Sequence, residues 1–407
     1  MIIMKTKSLC QLGVIFTITF FFLTSCSKIA PDVVSLSTDE FQLQEPDETA
    51  MWLSNSDIGT GQKKAFVSMK VFVTGLNNPR GLKFSPNGRL YVAEGGTGGG
   101  DGSTVGICEQ VVFPIGPYMG GPTGGRISKI NWKGERSIVT DQLPSSHANE
   151  IIGGDVEGVA DVTFIHNTLY AVLAGAGCSH GVADVPNGVI KVKPNGSWKM
   201  VANISDWLKA HPVQNPEPGD FEPDGTPYSI ITVGDDFYAL EPNHGDMMKI
   251  TTSGNISRVV DISATQGHIV PTALTFHDGN FFMGNLHPFP VVDGSSNIYK
   301  ITPSGEISIS VPGFTTILGV TFDKKGRLYV LENTTGNNIP PLPTPGTGKI
   351  IRVDKSGTRE TIASGLNLPT AMTFGPDGKL YVSNWGFSPT AIGGGEILQI
   401  SIGDNDN

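Results

Sequence analysis

From residue 79 to residue 402, apolar and polar positions alternate in runs of four to six residues, and each run stops at Gly, Asn, Asp or Pro. A period of two over so few residues predicts short, half-buried β-strands joined by tight turns. The runs are copies of one another. Six segments share the form apolar-x-Phe, turn, Leu-Tyr-Val-x-Glu/Asn: PRGLKFSPNGRLYVAE (79–94), VADVTFIHNTLYAVL (159–173), PYSIITVGDDFYALE (227–241), PTALTFHDGNFFMGN (271–285), ILGVTFDKKGRLYVLE (317–332) and PTAMTFGPDGKLYVSN (369–384).

After a loop of variable length, most copies lead into a second hairpin, such as GVIKVKPNGSWKMV (188–201) or NIYKITPSGEISISV (297–311). The turns SPNG, KPNG, TPSG, DKSG and GPDG supply the Gly, Asn and Asp that paired strands need at a reversal. Two hairpins make a four-stranded sheet, and six such sheets make an all-β, six-bladed β-propeller. The last copy lacks a fourth strand. KVFVTGLN (70–77) matches ETIASGLN (360–367), so the N-terminal strand is expected to complete the last blade and close the ring.

With strands labelled a to d outward from the axis, all b–c loops and d–a connections lie on one face. That face carries most of the candidate chemistry. Strand b ends at Glu94, Leu173, Glu241, Asn285, Glu332 and Asn384, followed in the last blade by Trp385. His180, His244 and His287 fall in b–c loops, and His268 falls just before strand a of blade four. The inner strands begin with Arg80, Asp161 beside Ala160, Tyr228, Thr272, Leu318 and Thr370. Long Gly- or Pro-rich insertions at 95–124, 208–227 and 333–347 crowd the same mouth, where a rigid scaffold usually holds its ligand.

Composition adds the setting. Lys5 and Lys7 precede the apolar LGVIFTITFFFL, which ends in Leu-Thr-Ser-Cys26; this reads as a lipoprotein signal over residues 1–25 with lipid attached at Cys26. Residues 26–69 show no sustained period and read as a tether reaching roughly 35 Å. The propeller follows over 70–402, with a short tail over 403–407. Losing Lys5 and Lys7 takes the basic count from 28 to 26 against 38 acids, net −12, which argues against nucleic acid as a partner and leaves the lipid as the only membrane contact. The setting expected is the cell envelope, on the periplasmic side of an outer membrane or at the cell surface. In that oxidising compartment Cys108 and Cys178, in b–c loops of adjacent blades, are expected to pair.

The order of these pieces resembles the ScyD/ScyE family of NHL-like propellers over residues 70–402. The stretches AEGGTGGGDG, PYSIITVGDDFYALEPNHGDMMKI and VPTALTFHDGNFFMGNLHPFP carry the likeness. The resemblance implies a secreted six-bladed propeller and no assigned reaction. A more distant likeness is to sugar-lactone hydrolases and virginiamycin-type lyases, which act at a metal near the channel mouth.

Two functions follow. The first is a monomeric binding module that takes a small molecule, glycan or protein partner at the mouth through Arg80, Tyr228 and Trp385, with the Glu/Asn ring, the histidines, Asp161, Thr272 and Thr370 around them. The alternative is a metal-assisted hydrolase or lyase with a divalent cation on His244, His287 and Glu241. No nucleophile elbow, Cys/His pair or P-loop is present in the sequence.

Overall fold

The computed structural model describes residues 66–152, 155–336, 343–386 and 392–403. The expected signal, Cys26 and all but the last four residues of the expected tether lie outside the described residues.

Six antiparallel sheets follow one another around a ring. Blade one comprises Pro79–Phe84, Leu90–Glu94, Met119–Ile130 and Arg136–His147, extended by Val156–Glu157 as a fifth strand. Blades two to five begin at Val159, Ser229, Pro271 and Ile317, each with four strands. Blade six takes Ala371–Phe374, Leu380–Asn384 and Ile392–Gly403 from the C-terminal end and Phe66–Asn77 from the N-terminal end. The N-terminal strand starts at Phe66 rather than Lys70, because Val67, Ser68 and Met69 also pair, with Ile402, Ser401 and Ile400. The inner strands of blades one and six touch, as do those of each successive pair, so the ring is closed.

The repeated Tyr and Phe have a common task. In four of six interfaces the aromatic ring of strand b meets the strand a Phe of the next blade: Tyr91 with Phe164, Phe282 with Phe322, Tyr329 with Phe374, and Tyr381 with Phe84. Centroids lie 5.0–5.1 Å apart at 65–82°, the edge-to-face geometry worth about 1 kcal/mol beyond the area buried. Blade three has Val233 where the others have Phe, so Tyr170 packs on Phe237 instead. Tyr238 likewise takes Phe281, leaving Phe276 37% exposed.

Hydroxyls and one carboxylate staple the blades nearer the axis. Thr272 Oγ1 donates to the Ile317 carbonyl (2.6 Å), and Thr370 Oγ1 to that of Pro79 (2.6 Å). Asp161 accepts the Ile230 N–H (3.0 Å) and its neighbour Val162 N–H (2.8 Å). Gly81 is required beside it, since a Cβ there would lie 1.9 Å from Asp161 Oδ1.

Candidate functional site

The residues that end strand b are brackets turned into the protein. Four of them accept a buried or half-buried backbone N–H, a group that cannot be left unpaired away from water. Glu94 takes Asn77 N–H (2.7 Å), Glu241 takes Thr226 N–H (2.9 Å), Glu332 takes Thr315 N–H (2.9 Å) and Asn384 takes Asn367 N–H (2.8 Å), all in the segment that leads into strand a. Asn285 does the same work in reverse, donating to the Ile269 carbonyl (2.9 Å). The remaining carboxylate capacity is also taken. Glu94 pairs with Arg126 and Ser128, Glu332 with Lys349 (3.0 Å), and Glu241 with the N–H groups of Asn243 and His244. All five side chains are buried, so the ring expected to face a ligand instead ties the entry of five of the six blades to strand b, blade two ending in Leu173.

At the axis, Tyr228 leaves blade three and its hydroxyl donates to the Thr370 carbonyl of blade six (3.1 Å). Blades three and six are opposite, so the ring lies across the channel. Arg80, 1% exposed, fills the space beside it, donating to the Val156 carbonyl (2.6 Å) with Glu157 at 3.5 Å and Asp155 at 3.6 Å. Burial pushes the Tyr228 phenol up, against the pull of Arg80. Burial also pushes the Asp155 carboxyl up to about 8, opposed by Arg80 and reinforced by Glu157. Arg80 and Tyr228, which the sequence offers as ligand contacts, therefore plug this mouth.

Around the plug, one connection gathers three histidines from three blades. His180 Nε2 stands 3.2 Å from Glu222 Oε2, His244 Nε2 donates to the Glu222 carbonyl (2.9 Å), and His268 Nε2 meets Asp220 Oδ2 (2.7 Å). Tyr118 packs on His180 with centroids 4.6 Å apart. Burial pushes the Glu222 carboxyl up, while His180 opposes the shift. His287 takes no part; its backbone is left-handed (φ 70°) and Nδ1 donates to the Pro288 carbonyl (3.0 Å). Trp385 is also left-handed (φ 55°), with its backbone N–H donating to the Asn367 carbonyl (2.7 Å).

The expected metal set does not fit a cation. Glu241 is committed to three amides and His244 Nε2 to a carbonyl. Among the described residues, no group of three or more His, Cys, Asp or Glu side chains is arranged to hold a metal.

What the face does offer is a cavity of about 390 Å³ over blades two and three. Helix α1, Ile204–Ala210, supplies one wall with Leu208 and Lys209; Asn203 caps it by accepting the Asp206 N–H (2.9 Å). The connection that follows supplies Pro212, Val213, Pro216, Phe221, Pro223 and Asp224, and the blade one loop closes the side with Cys108 and Glu109. His244 lines the floor. Burial works to raise the Asp224 carboxyl, but Lys209 (2.6 Å) and the Ser179 N–H (2.7 Å) outweigh it and hold the group below its ordinary range.

The blade one loop is held in place by three features. Cys108 and Cys178 are joined by a disulfide, and Val111, Tyr118 and Ala148 form a small core of their own. The run GGTGGG has a packing reason too: a Cβ on Gly99 (φ 72°) would sit 1.9 Å from the Ser145 carbonyl oxygen. The sequence points to this loop, to the 208–227 connection and to Glu157 beside the inner strand of blade two, but not to Asp155, Tyr118, Asp220 or Glu222. The one signal available is that the acids fall in d–a connections of the same face.

No family model and no curated protein sequence matches the chain. Similar solved structures include a protein of unknown function from Bacteroides thetaiotaomicron (11% identity, 83% of this chain and 76% of that one, TM-score 0.52). Another is a putative oxidoreductase (glucose dehydrogenase) from Thermus thermophilus (16%, 83% and 100%, 0.50). A third is virginiamycin B lyase from Staphylococcus aureus (13%, 83% and 99%, 0.43). At these identities the likeness shows the β-propeller fold alone, since one fold hosts many functions.

Proposed function

We propose that this chain is an exported, lipid-anchored propeller that binds a small organic molecule in the cavity over blades two and three. The observation that carries the reading is the cavity itself: its volume of about 390 Å³ lies in the range of small-molecule sites, and its walls are apolar with few polar groups. Three prolines and Phe221 give rigid walls that lose little freedom when a ligand is bound. Lys209 and Asp224 satisfy each other, whereas the exposed Glu109 carboxylate has no ion-pair partner among the described residues. A ligand with an apolar body and a cationic or hydrogen-bond-donating group meets these features. The Cys108–Cys178 disulfide and the signal with Cys26 support an exported setting, as does the resemblance to the ScyD/ScyE propellers.

A second reading, a hydrolase or lyase, is favoured by one observation. Asp155, with its carboxyl up at about 8, holds a proton at neutral pH beside Arg80, as a general acid must. The burial of Arg80, His180 and Glu222 weighs against it, because a substrate needs a way in.

Native mass spectrometry of protein taken from its own membrane tests the first reading. A co-purifying small-molecule adduct is expected, and Val213→Trp, which fills the cavity, should remove it. An adduct that survives in the variant places the ligand elsewhere. Release of the chain from the membrane by Cys26→Ser tests the anchor separately.

A further inference from the structure

The inner strands carry a second ring of polar residues, at the end of the channel away from Tyr228. The residue before the strand a Phe or its equivalent is Lys83, Thr163, Thr232, Thr275, Thr321 or Thr373 in the six blades. Thr163 and Thr232 satisfy each other across the interface of blades two and three, with hydroxyls 2.9 Å apart. The other four belong to consecutive blades, four, five, six and one, and all line the channel cavity of about 70 Å³. Among the described residues no hydrogen bond or ion pair is made by the Lys83 ammonium or by the hydroxyls of Thr275, Thr321 and Thr373. Asp161 lines the same cavity and spends its carboxylate on the Val162 and Ile230 amides; Lys83 stays beyond ion-pair distance, although burial pushes the Asp161 carboxyl up and the Lys83 charge pulls against that shift.

We propose that this end of the channel binds a small inorganic oxyanion, phosphate-like in size, between Lys83 and the hydroxyls of Thr275, Thr321 and Thr373. Hydroxyls alone serve either sign of charge; the ammonium selects an anion. Four donors on four successive blades suit a ligand with several acceptor oxygens, and hydrogen bonds to an ionised acceptor are the stronger kind. The channel is narrow, so an ion of a few atoms fits and an organic anion with a bulky body does not. Tyr228 closes the far mouth, so the ion enters from the face of the a–b turns. The site is separate from the cavity over blades two and three and stands whether or not that cavity takes a ligand.

Titration calorimetry on the full chain tests this, with inorganic phosphate added at an ionic strength held constant with chloride. Saturable binding of one ion is expected. Lys83→Met should weaken it by about tenfold or more, since it removes a charge-assisted bond, and Thr321→Val should weaken it severalfold. Lys83→Gln reads the same charge if the Met variant does not fold. The proposal is overturned if phosphate does not saturate, if Lys83→Met and Lys83→Gln bind as the parent does, or if chloride alone gives the same response.

Discussion

The Tyr228 hydroxyl reaches the carbonyl of Thr370 on the opposite blade, 3.1 Å away, so a single side chain spans the channel. Tyr228→Phe keeps the ring and loses the bond, and should cost about 1 kcal/mol. Tyr228→Ala removes the plug and should cost about 3 to 5 kcal/mol, because the neighbours belong to different blades and cannot collapse into the space. Urea unfolding of both variants measures the difference; equal losses would show that the ring itself does not close the mouth.

Glu94 is fully buried with Arg126, Ser128 and the Asn77 amide around it. Glu94→Ala leaves Arg126 facing a vacant polar site and should destabilise by about 3 to 5 kcal/mol. Its position also joins blade one to the N-terminal strand, so proteolysis near Asn77 should accelerate in this variant. A loss under about 1 kcal/mol would mean that the bracket is dispensable.

Stability should fall as pH rises from about 4 to about 8. Asp155 is raised from 3.8 to about 8 and Asp246 to about 7, in both cases chiefly by burial, so the folded state holds their protons where the unfolded chain has released them. Stability from these groups is fully present below the unfolded value and is lost as pH climbs through the folded one. Asp155→Asn should flatten this slope in denaturant titrations run at successive pH values. A parent protein that gains stability over the same range would contradict the assignment.

The Cys108–Cys178 bond encloses a sequence separation of 70 residues, for which the chain-entropy account gives about 4 kcal/mol. Replacing both with Ser should lower stability by up to that amount. It should also loosen the cavity wall that Cys108 forms. Hydrogen exchange across residues 101–118 reads the second effect; unchanged protection there would mean that the small core of Val111, Tyr118 and Ala148 suffices alone.

The blades are legible in the sequence because their signal is local and repeated. The alternation of LYV and VTF, the turn glycines, and the match of KVFVTGLN to ETIASGLN point to six sheets and the closing strand. The depth of Glu94, Glu241 and Glu332 is not legible, since an acid at a strand end reads the same whether it faces water or a buried amide. Nor is the pairing of His180 and His244 with Glu222, because the partner lies in a connection with no repeat to align. Tyr228 is expected near the axis and lies there. Its reach across to Thr370 depends on the diameter of the ring, which no spacing in the sequence encodes.

The clasp of Phe66–Asn77 against Ile392–Gly403 sets an order of events. The first strand of the propeller to be made is the last to find its partner, since that partner is the last of the described strands. Until then blade six lacks its outer strand and the ring has no seal. Contacts this distant in sequence make for slow folding, so the segment around Phe66 and Val71, half exposed even in the finished ring, stays available to chaperones or to a second chain throughout synthesis.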